Sequence, residues 1–186
     1  MRLFIALDIP AEVRSRLTGY VERVRPLAPD ARWARIESLH VTLKFIGEVA
    51  DAKVSEIESA LVPIKAQPFQ VDFKEIGFFP NPRSPRVFWA GVNASDSLPQ
   101  LAAATESAME RIGIDPEKRP YHPHLTLARA PEGGASRNCF RLLQERLATE
   151  ASADFGTMTA VEFFLYQSQL MRGGSRYTKL QRFSLQ

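Results

Sequence analysis

The sequence predicts an α+β fold in which two mainly antiparallel sheets face each other across a central cleft, with helices packed outside. Extended segments follow one another in hairpin-like pairs, and segments with helical periodicity separate these pairs, which favours α+β over a doubly wound parallel sheet. A four-residue pattern also occurs twice, at 40–43 and at 124–127, after a predicted helix and once in each half of the chain. We therefore expect a single domain, 1–186, of two pseudo-symmetric lobes with one motif in each.

Length and composition are those of an ordinary soluble globular protein. The 186 residues are 45% hydrophobic and 24% charged, and no apolar run is long enough to span a membrane. The apolar start of the chain ends at Asp8 without a cleavage site after it, so we interpret it as a strand rather than a signal peptide. Cys139 is the only cysteine, which excludes an internal disulfide and a thiolate metal cluster and favours a cytoplasmic location. The net charge of +3 is compatible with an anionic ligand but does not establish one.

Prolines, glycines and the spacing of apolar residues delimit the elements of the first half. Pro10 suits the first turn of a helix because its missing N–H needs no partner there, and Pro26 lies beyond the end of that helix. Gly47 is expected to end the strand that carries the first motif, and Asp51 to cap the next helix. The predicted elements are a strand over 2–8, a helix from 10 to before 26, a short strand over 31–36, a strand over 39–46 and a helix from 51 to about 61.

The second half is divided by the same signals. Three prolines between 80 and 85 exclude a central strand there. Ser97 with Gln100 resembles a capping box, and Ser136 is a candidate cap for a later helix. The predicted elements are a strand over 69–79, the loop 80–85, a strand over 86–92, a helix from 97, a charged loop over 114–121, a strand over 122–128, a helix over 138–147, one long β-rich run over 157–170, a turn at 173–174 and a strand over 176–183.

The repeated pattern is His40-Val41-Thr42-Leu43 and His124-Leu125-Thr126-Leu127. Side chains alternate between the faces of a strand, so each copy presents an imidazole and a hydroxyl on one face and two apolar anchors on the other. Strict alternation puts Lys44 on the histidine face, where we interpret it as a solvated lysine at the cleft rim, and it puts Phe45 on the core face. It also turns Arg129 away from the site, but Pro131 ends the strand nearby, and a turn after Ala128 would swing the guanidinium back towards a phosphate.

Two imidazoles and two hydroxyls suit an in-line displacement at phosphorus. One histidine removes a proton from the attacking oxygen and the other protonates the leaving oxygen on the opposite side, because the pKa of imidazole lies near neutrality. The hydroxyls of Thr42 and Thr126 then donate hydrogen bonds to the non-bridging oxygens. The scheme demands no metal and no cofactor.

A zinc site is the competing chemistry. His122 shares the strand parity of His124, so the two form a pair that in principle chelates a metal ion. No third histidine, cysteine or carboxylate stands at a recognisable ligand spacing near the motifs, and zinc in proteins usually has three or more protein ligands. We therefore interpret His122 as a flanking residue.

The motifs and their flanks resemble a known superfamily. Residues 39–47 (LHVTLKFIG) and 120–129 (PYHPHLTLAR) are similar to the two signature motifs of the 2H phosphoesterases. Within that superfamily the chain most resembles the bacterial and archaeal RNA 2',3'-cyclic phosphodiesterases, historically called 2'-5' RNA ligases. The similarity extends to the opening 2–7, to 166–170 and to 174–177, so it spans nearly the whole chain.

This resemblance implies a bilobal catalytic domain that opens a 2',3'-cyclic phosphate on RNA ends without a metal and leaves a 2'-phosphate. It assigns His40 as the proton donor to the leaving 3'-oxygen and His124 as the proton acceptor that activates water, although the spacing is symmetric in the two. Thr42 and Thr126 would hold phosphoryl oxygens, and a basic residue is frequent in the family at the position of Arg129. The expected partners are RNA with 2',3'-cyclic phosphate ends, tRNA among them, or nucleoside 2',3'-cyclic phosphates. We expect a monomer with no membrane association, and reversible 2'-5' ligation is a further expectation.

Two alternatives stay open. The same chemistry would serve a small cyclic nucleotide or an ADP-ribose cyclic phosphate, and the same cleft without turnover would make a nucleotide- or RNA-binding module. Six arginines are candidates for a path along an RNA backbone, namely Arg32, Arg35, Arg83, Arg86, Arg172 and Arg176.

Overall fold

The computed structural model describes residues 1–132, 138–171 and 174–186. Its strands are β1 (Arg2–Asp8), β2 (Arg32–Trp33), β3 (His40–Glu48), β4 (Phe69–Phe79), β5 (Val87–Ala94), β6 (His124–Arg129), β7 (Asp154–Ala160), β8 (Glu162–Met171) and β9 (Gly174–Ser184). Its α-helices are α1 (Ala11–Val24), α2 (Val54–Leu61), α3 (Ser97–Arg111) and α4 (Arg141–Leu147).

The strands form two antiparallel sheets. One has four strands in the order β3-β1-β8-β9, and the other has five in the order β2-β6-β5-β4-β7. Every strand pairing in the described part of the chain is antiparallel. The predicted α+β class is confirmed, and the two motif strands, β3 and β6, lie in different sheets.

The two faces of β1 show how the four-stranded sheet is used. Leu3, Ile5 and Leu7 are buried in the main core, which α1 also enters through side chains one helical turn apart. Phe4 and Ala6 lie on the opposite face, in a small separate cluster with Phe164 and Tyr166. The sheet thus carries its anchors on one face and an aromatic floor on the other.

The β-rich run over 157–170 was predicted as one strand, and this is wrong. It is two strands, β7 and β8, which part at Val161 and join different sheets, because β7 pairs with β4 while β8 pairs with β1. Val161 is exposed between the buried Ala160 and Phe163, where the chain changes partners. The local sequence does not show where the run divides, because residues on both sides of Val161 have a pattern typical of strands.

Several predicted element ends also differ. Asp51 caps no helix: its carboxylate lies 3.5 Å from the N-terminal ammonium group, and α2 begins only at Val54. The box of Ser97 and Gln100 does not form, because Asp96 is the N-cap of α3 and makes no side-chain cap bond. Strand β3 continues through Gly47, whose φ of 86° lies in the left-handed region, to Glu48. Helix α4 starts at Arg141, and its proposed cap Ser136 lies outside the described residues. Arg172 and part of the turn at 173–174 also lie outside them.

Candidate active site

Both motifs alternate as the sequence predicts. His40, Thr42, His124 and Thr126 are partly exposed, whereas the residues between and after them are buried. The apolar positions are Val41, Leu43, Leu125 and Leu127, and all four belong to the main core. Each motif therefore holds a histidine and a threonine on the face of its sheet that is turned away from that core, which we call the cleft face.

A β-bulge follows the threonine in both strands. In β3, Ala6 pairs with Thr42 and Ile5 with Lys44, so Leu43 has no partner. In β6, Trp89 pairs with Thr126 and Phe88 with Ala128, so Leu127 has none. One extra residue reverses the parity of everything after it.

The bulges overturn two predictions and explain a third. Lys44 is buried on the core face, with 3% of its surface exposed, and is not a solvated rim lysine. Phe45 lies on the cleft face with 59% exposed and is not packed in the core. Arg129 comes back to the face of Thr126 because of the bulge at Leu127, so no turn after Ala128 is needed. Arg129 and Phe45 thus occupy the same place in the two strands.

The histidine rings are held in the same way. The Nδ1 atom of His40 lies 2.8 Å from the Ser38 carbonyl oxygen, and that of His124 lies 2.7 Å from the His122 carbonyl oxygen. A carbonyl oxygen only accepts, so Nδ1 carries the proton in both rings. Each neutral imidazole therefore keeps Nε2 as its one unprotonated nitrogen, available as a base, and a protonated ring donates from the same atom.

Burial lowers the pKa of His40 below its usual value. The Ser38 carbonyl opposes this shift, while the charge of Arg14 adds to it and the carboxylate of Asp8 works against it. The imidazole of His124 also disfavours a charged His40, so the two rings lie within electrostatic range of each other. Strands β3 and β6, which carry the two motifs, also contact each other.

The pKa of His124 is lowered too, mainly by burial. Its bond to the His122 carbonyl opposes the shift, whereas electrostatic repulsion, above all from the Arg129 guanidinium, adds to it. Arg129 therefore lies close enough to influence the charge on the ring, as expected of a residue at the same site. At neutral pH both rings are mainly uncharged in the free protein.

No group of three or more His, Cys, Asp or Glu in the described ranges is arranged to hold a metal ion. The His122 side chain is exposed, and its ring lies 6.2 Å from that of Phe79, measured between centroids. The chelating pair of His122 and His124 therefore has no third ligand among those residues.

The comparisons with known proteins place these motifs in a family. The family model described as LigT like Phosphoesterase matches residues 7–89 and 91–177. The chain belongs to this family. Each matched segment of this LigT-like phosphoesterase contains one His-x-Thr motif.

Similar proteins cover nearly the whole chain. An Archaeoglobus fulgidus protein named RNA 2',3'-cyclic phosphodiesterase is 32% identical over 98% of this chain and 99% of its own length. An Escherichia coli protein of the same name is 33% identical over 99% of this chain and 96% of its own. The crystal structure of E. coli LigT complexed with 3'-AMP superposes with a TM-score of 0.80 at 33% identity, covering 99% of this chain and 97% of that one.

In this LigT-like phosphoesterase, the loop before the second motif is fastened to the strand of the first. The Tyr121 hydroxyl donates to the Thr42 carbonyl oxygen at 3.1 Å. The Lys44 ammonium donates to the Asp115 carbonyl oxygen at 2.7 Å and to a Glu106 carboxylate oxygen at 2.5 Å, and that same oxygen accepts the Glu117 N–H. These contacts tie 115–121 to β3 and so fix the approach to His124.

Aromatic residues that the sequence did not single out support each histidine. The His40 ring stacks on Phe4 at 4.5 Å between centroids and meets Tyr177 edge-on at 5.2 Å. The His124 ring meets Phe79 edge-on at 5.0 Å, and Phe79 in turn packs on Trp89. Alternation along β1 could have placed Phe4 on the cleft face from the sequence. The other aromatic residues could be identified only with the order of the strands in the sheets, which a single sequence does not provide.

A carboxylate and two cations lie behind His40. Asp8 accepts from Arg14 and from Lys179, each at 2.5 Å. Partial burial raises the pKa of Asp8, but the hydrogen bond and charge of Lys179 and the charge of Arg14 outweigh it and hold the pKa below its usual value. Asp8 is therefore ionised at neutral pH and faces the first motif as an anion.

None of the helices in the described ranges combines the length and apolar character of a membrane-spanning helix.

Proposed function

We propose that the protein hydrolyses the 2',3'-cyclic phosphate at RNA ends to a 2'-phosphate, with His40 as acid and His124 as base and without a metal. The observation that carries this proposal is the pair of imidazoles whose Nδ1 protons are held by carbonyl oxygens, which leaves two Nε2 atoms for proton transfer. The relatives named RNA 2',3'-cyclic phosphodiesterase support the substrate.

The reaction balances with these groups alone. The Nε2 atom of His124 takes a proton from water as the water oxygen attacks phosphorus. The bond between phosphorus and O3' breaks, and Nε2–H of protonated His40 gives its proton to O3', which becomes a hydroxyl. Thr42, Thr126 and Arg129 stabilise the charge on the non-bridging oxygens as the transition state forms.

The surroundings of the two rings support this division of roles. His124 faces the Arg129 cation, which favours a neutral base. His40 also has a cation beside it, Arg14, but the Asp8 carboxylate partly offsets that charge and favours the protonated form of His40. An anionic cyclic phosphate beside His40 favours its protonated form further.

The experiment is a chromatographic assay of an oligonucleotide with a 2',3'-cyclic phosphate end, in EDTA, resolving 2'- from 3'-phosphate products. We expect turnover to the 2'-phosphate, and a loss of about a thousandfold or more in kcat for His40→Ala and for His124→Ala. Circular dichroism checks that both variants are folded. Full activity in both variants contradicts the histidine pair, turnover lost in EDTA revives the metal site, and binding without turnover favours a binding module.

We propose also that the same site joins RNA ends. When a 5'-hydroxyl takes the place of water, attack on the cyclic phosphate gives a 2'-5' linkage with the same proton transfers. Incubating an RNA with a cyclic phosphate end and an RNA with a 5'-hydroxyl end should yield a joined product that His124→Ala does not form. Failure to detect it at high RNA concentration contradicts this extension and leaves hydrolysis unaffected.

We infer that the protein acts as a monomer in the cytoplasm, with tRNA among its substrates. Both motifs come from one chain, which supports a monomer, and the lone Cys139 is buried as a free thiol, which suits a reducing compartment. Size-exclusion chromatography with light scattering tests the first point, and cell fractionation tests the second. Cyclic phosphate-ended tRNA fragments in the hydrolysis assay test the third.

A further inference from the structure

A cavity of about 570 Å³ opens beside His40, between the β8–β9 hairpin and the segment that leads into β3. We call it the His40 pocket. Its volume lies within the range of small-ligand sites in proteins. Four basic and two acidic side chains line it, namely Arg14, Arg35, Arg176, Lys179, Asp8 and Glu37.

The charges of the pocket favour an anion. Asp8 is already matched by Arg14 and Lys179, so its negative charge is compensated within the pocket. Over the whole lining, four basic side chains stand against two carboxylates. Arg176 is exposed on β9, and a guanidinium can form paired hydrogen bonds with the oxygens of a phosphodiester.

The pocket also has an aromatic wall. Tyr166 and Tyr177 line it. Tyr177 is partly exposed and meets the His40 ring edge-on. A partly exposed ring next to cationic side chains is the combination on which a nucleobase stacks while its backbone is neutralised.

The proposed reaction gives this pocket its place along the substrate, and the following step rests on that function. The leaving O3' belongs to the ribose of the terminal nucleotide, whereas the attacking water belongs to no part of the RNA. In an in-line displacement the ribose therefore lies on the side of the acid, His40, and the water lies on the side of His124. The rest of the RNA continues from that ribose through its 5'-oxygen, on the His40 side.

We propose that the His40 pocket binds the nucleotide immediately 5' to the one that carries the cyclic phosphate. Arg176 contacts the phosphodiester that joins the two nucleotides, and the base of the upstream nucleotide packs against Tyr177. The protein accordingly prefers an oligonucleotide end to a free nucleoside 2',3'-cyclic phosphate. Small cyclic nucleotides fill only the part of the site around the two histidines.

The test compares kcat/KM for adenosine 2',3'-cyclic phosphate with kcat/KM for ApA ending in the same cyclic phosphate. The wild type should favour the dinucleotide by about tenfold, the size of one charged hydrogen-bonded contact. Arg176→Gln should lower kcat/KM for the dinucleotide several-fold more than for the mononucleotide. Raising the NaCl concentration should reduce the preference of the wild type more than that of the variant.

Arg182→Gln is the matched control. Arg182 is an exposed arginine on the same strand, 3.6 Å from Glu162 and outside the pocket, so this variant should keep the wild-type preference. Equal kcat/KM for both substrates in the wild type, or an unchanged preference in Arg176→Gln, would overturn the upstream site while the hydrolytic function stands. Absence of hydrolysis of either substrate by the wild type would instead overturn the proposed function, and the pocket assignment with it.

Discussion

Strands β3 and β6 share one backbone construction but surround their histidines with different charges. In each, the histidine Nδ1 bonds the carbonyl two residues earlier, and a bulge follows the threonine. The residue after the bulge is buried and the next one returns to the cleft face, but these residues are Lys44 and Phe45 in β3 and Ala128 and Arg129 in β6.

The difference separates geometry from electrostatics. The hydrogen bond of Nδ1 and the bulge after the threonine fix the positions of Nε2 and the hydroxyl, and both features occur in both strands. The neighbouring charges differ, because His124 has the Arg129 cation beside it, whereas His40 has the Asp8 carboxylate as well as the Arg14 cation. The shared construction therefore places the two histidines alike, while their neighbours bias the two pKa values differently, as the proposed acid and base require.

The equivalent cleft-face positions after the bulges give the strongest contrast. Arg129→Met removes a cation that we expect to contact the phosphoryl oxygens, so kcat/KM should fall by about 10- to 100-fold. Phe45→Leu changes a largely exposed side chain at the matching place in β3 and should alter kcat/KM by less than about threefold. Steady-state kinetics of both variants with a dinucleotide cyclic phosphate measures the contrast.

Arg129→Lys refines this comparison. It keeps the charge but loses the paired geometry, so its activity should fall between those of the wild type and Arg129→Met. Equal, small effects at positions 45 and 129 would show that Arg129 makes no phosphate contact, and the electrostatic difference between the strands would then act on His124 alone.

Substitutions at the buried positions after the bulges should have the next largest effect. Lys44 has 2% of its side chain exposed, whereas its partner Glu106 has 26% and keeps some access to water. Lys44→Met removes the ammonium and leaves the carboxylate and the Asp115 carbonyl without that donor. The free energy of unfolding should fall by about 1–3 kcal/mol, less than for a fully buried pair because Glu106 can rehydrate. Urea denaturation provides the measurement.

Lys53 offers a matched control for Lys44. Its ammonium also donates to a backbone carbonyl, that of Ile112, at 2.6 Å, but 31% of its side chain is exposed. Lys53→Met should cost under about 1 kcal/mol. Adding Glu106→Gln to Lys44→Met should restore part of the loss, because an unpaired charge is removed. If Lys44→Met is as stable as Lys53→Met, the buried pair does not hold the loop 115–121 to β3.

The same bulges mark the point in each strand beyond which the sequence could not predict which face a side chain occupies. Alternation over four residues is local, so the faces of His40 and Thr42 could be predicted, as could those of the second copy. A bulge depends on which residues of the neighbouring strand pair, and this made the predictions for Lys44 and Phe45 wrong just past the motif. The partners Glu106 and Asp115 are distant along the chain, and no local pattern identifies them.

For the fold as well, local features could be predicted and long-range pairings could not. Prolines, glycines and apolar spacing identified most elements, because these signals act within a few residues. The division of 157–170 between two sheets was missed, since sheet membership depends on partners elsewhere in the chain. The α+β class survived that error because both new strands pair in antiparallel fashion.

The smallest expected effects are shifts of the pH profile, and they test the electrostatic difference directly. In the proposed mechanism kcat/KM falls at low pH when His124 becomes protonated and at high pH when His40 loses its proton. Burial lowers the pKa of both rings, so the optimum should lie on the acid side of neutrality. Arg129→Met removes a cation that disfavours protonated His124, so the pKa of His124 rises and the acid limb moves to higher pH.

Asp8→Asn acts on the other limb with the opposite sign. The Asp8 carboxylate favours the protonated form of His40, so its removal lowers the pKa of His40 and moves the alkaline limb to lower pH. The two variants should therefore narrow the profile from opposite sides, each leaving the other limb in place. Profiles of kcat/KM between about pH 4 and 9 measure both limbs, since kcat/KM reports groups of the free enzyme. If both variants move the same limb, one histidine alone titrates in the rate, and the assignment of acid to β3 and base to β6 fails.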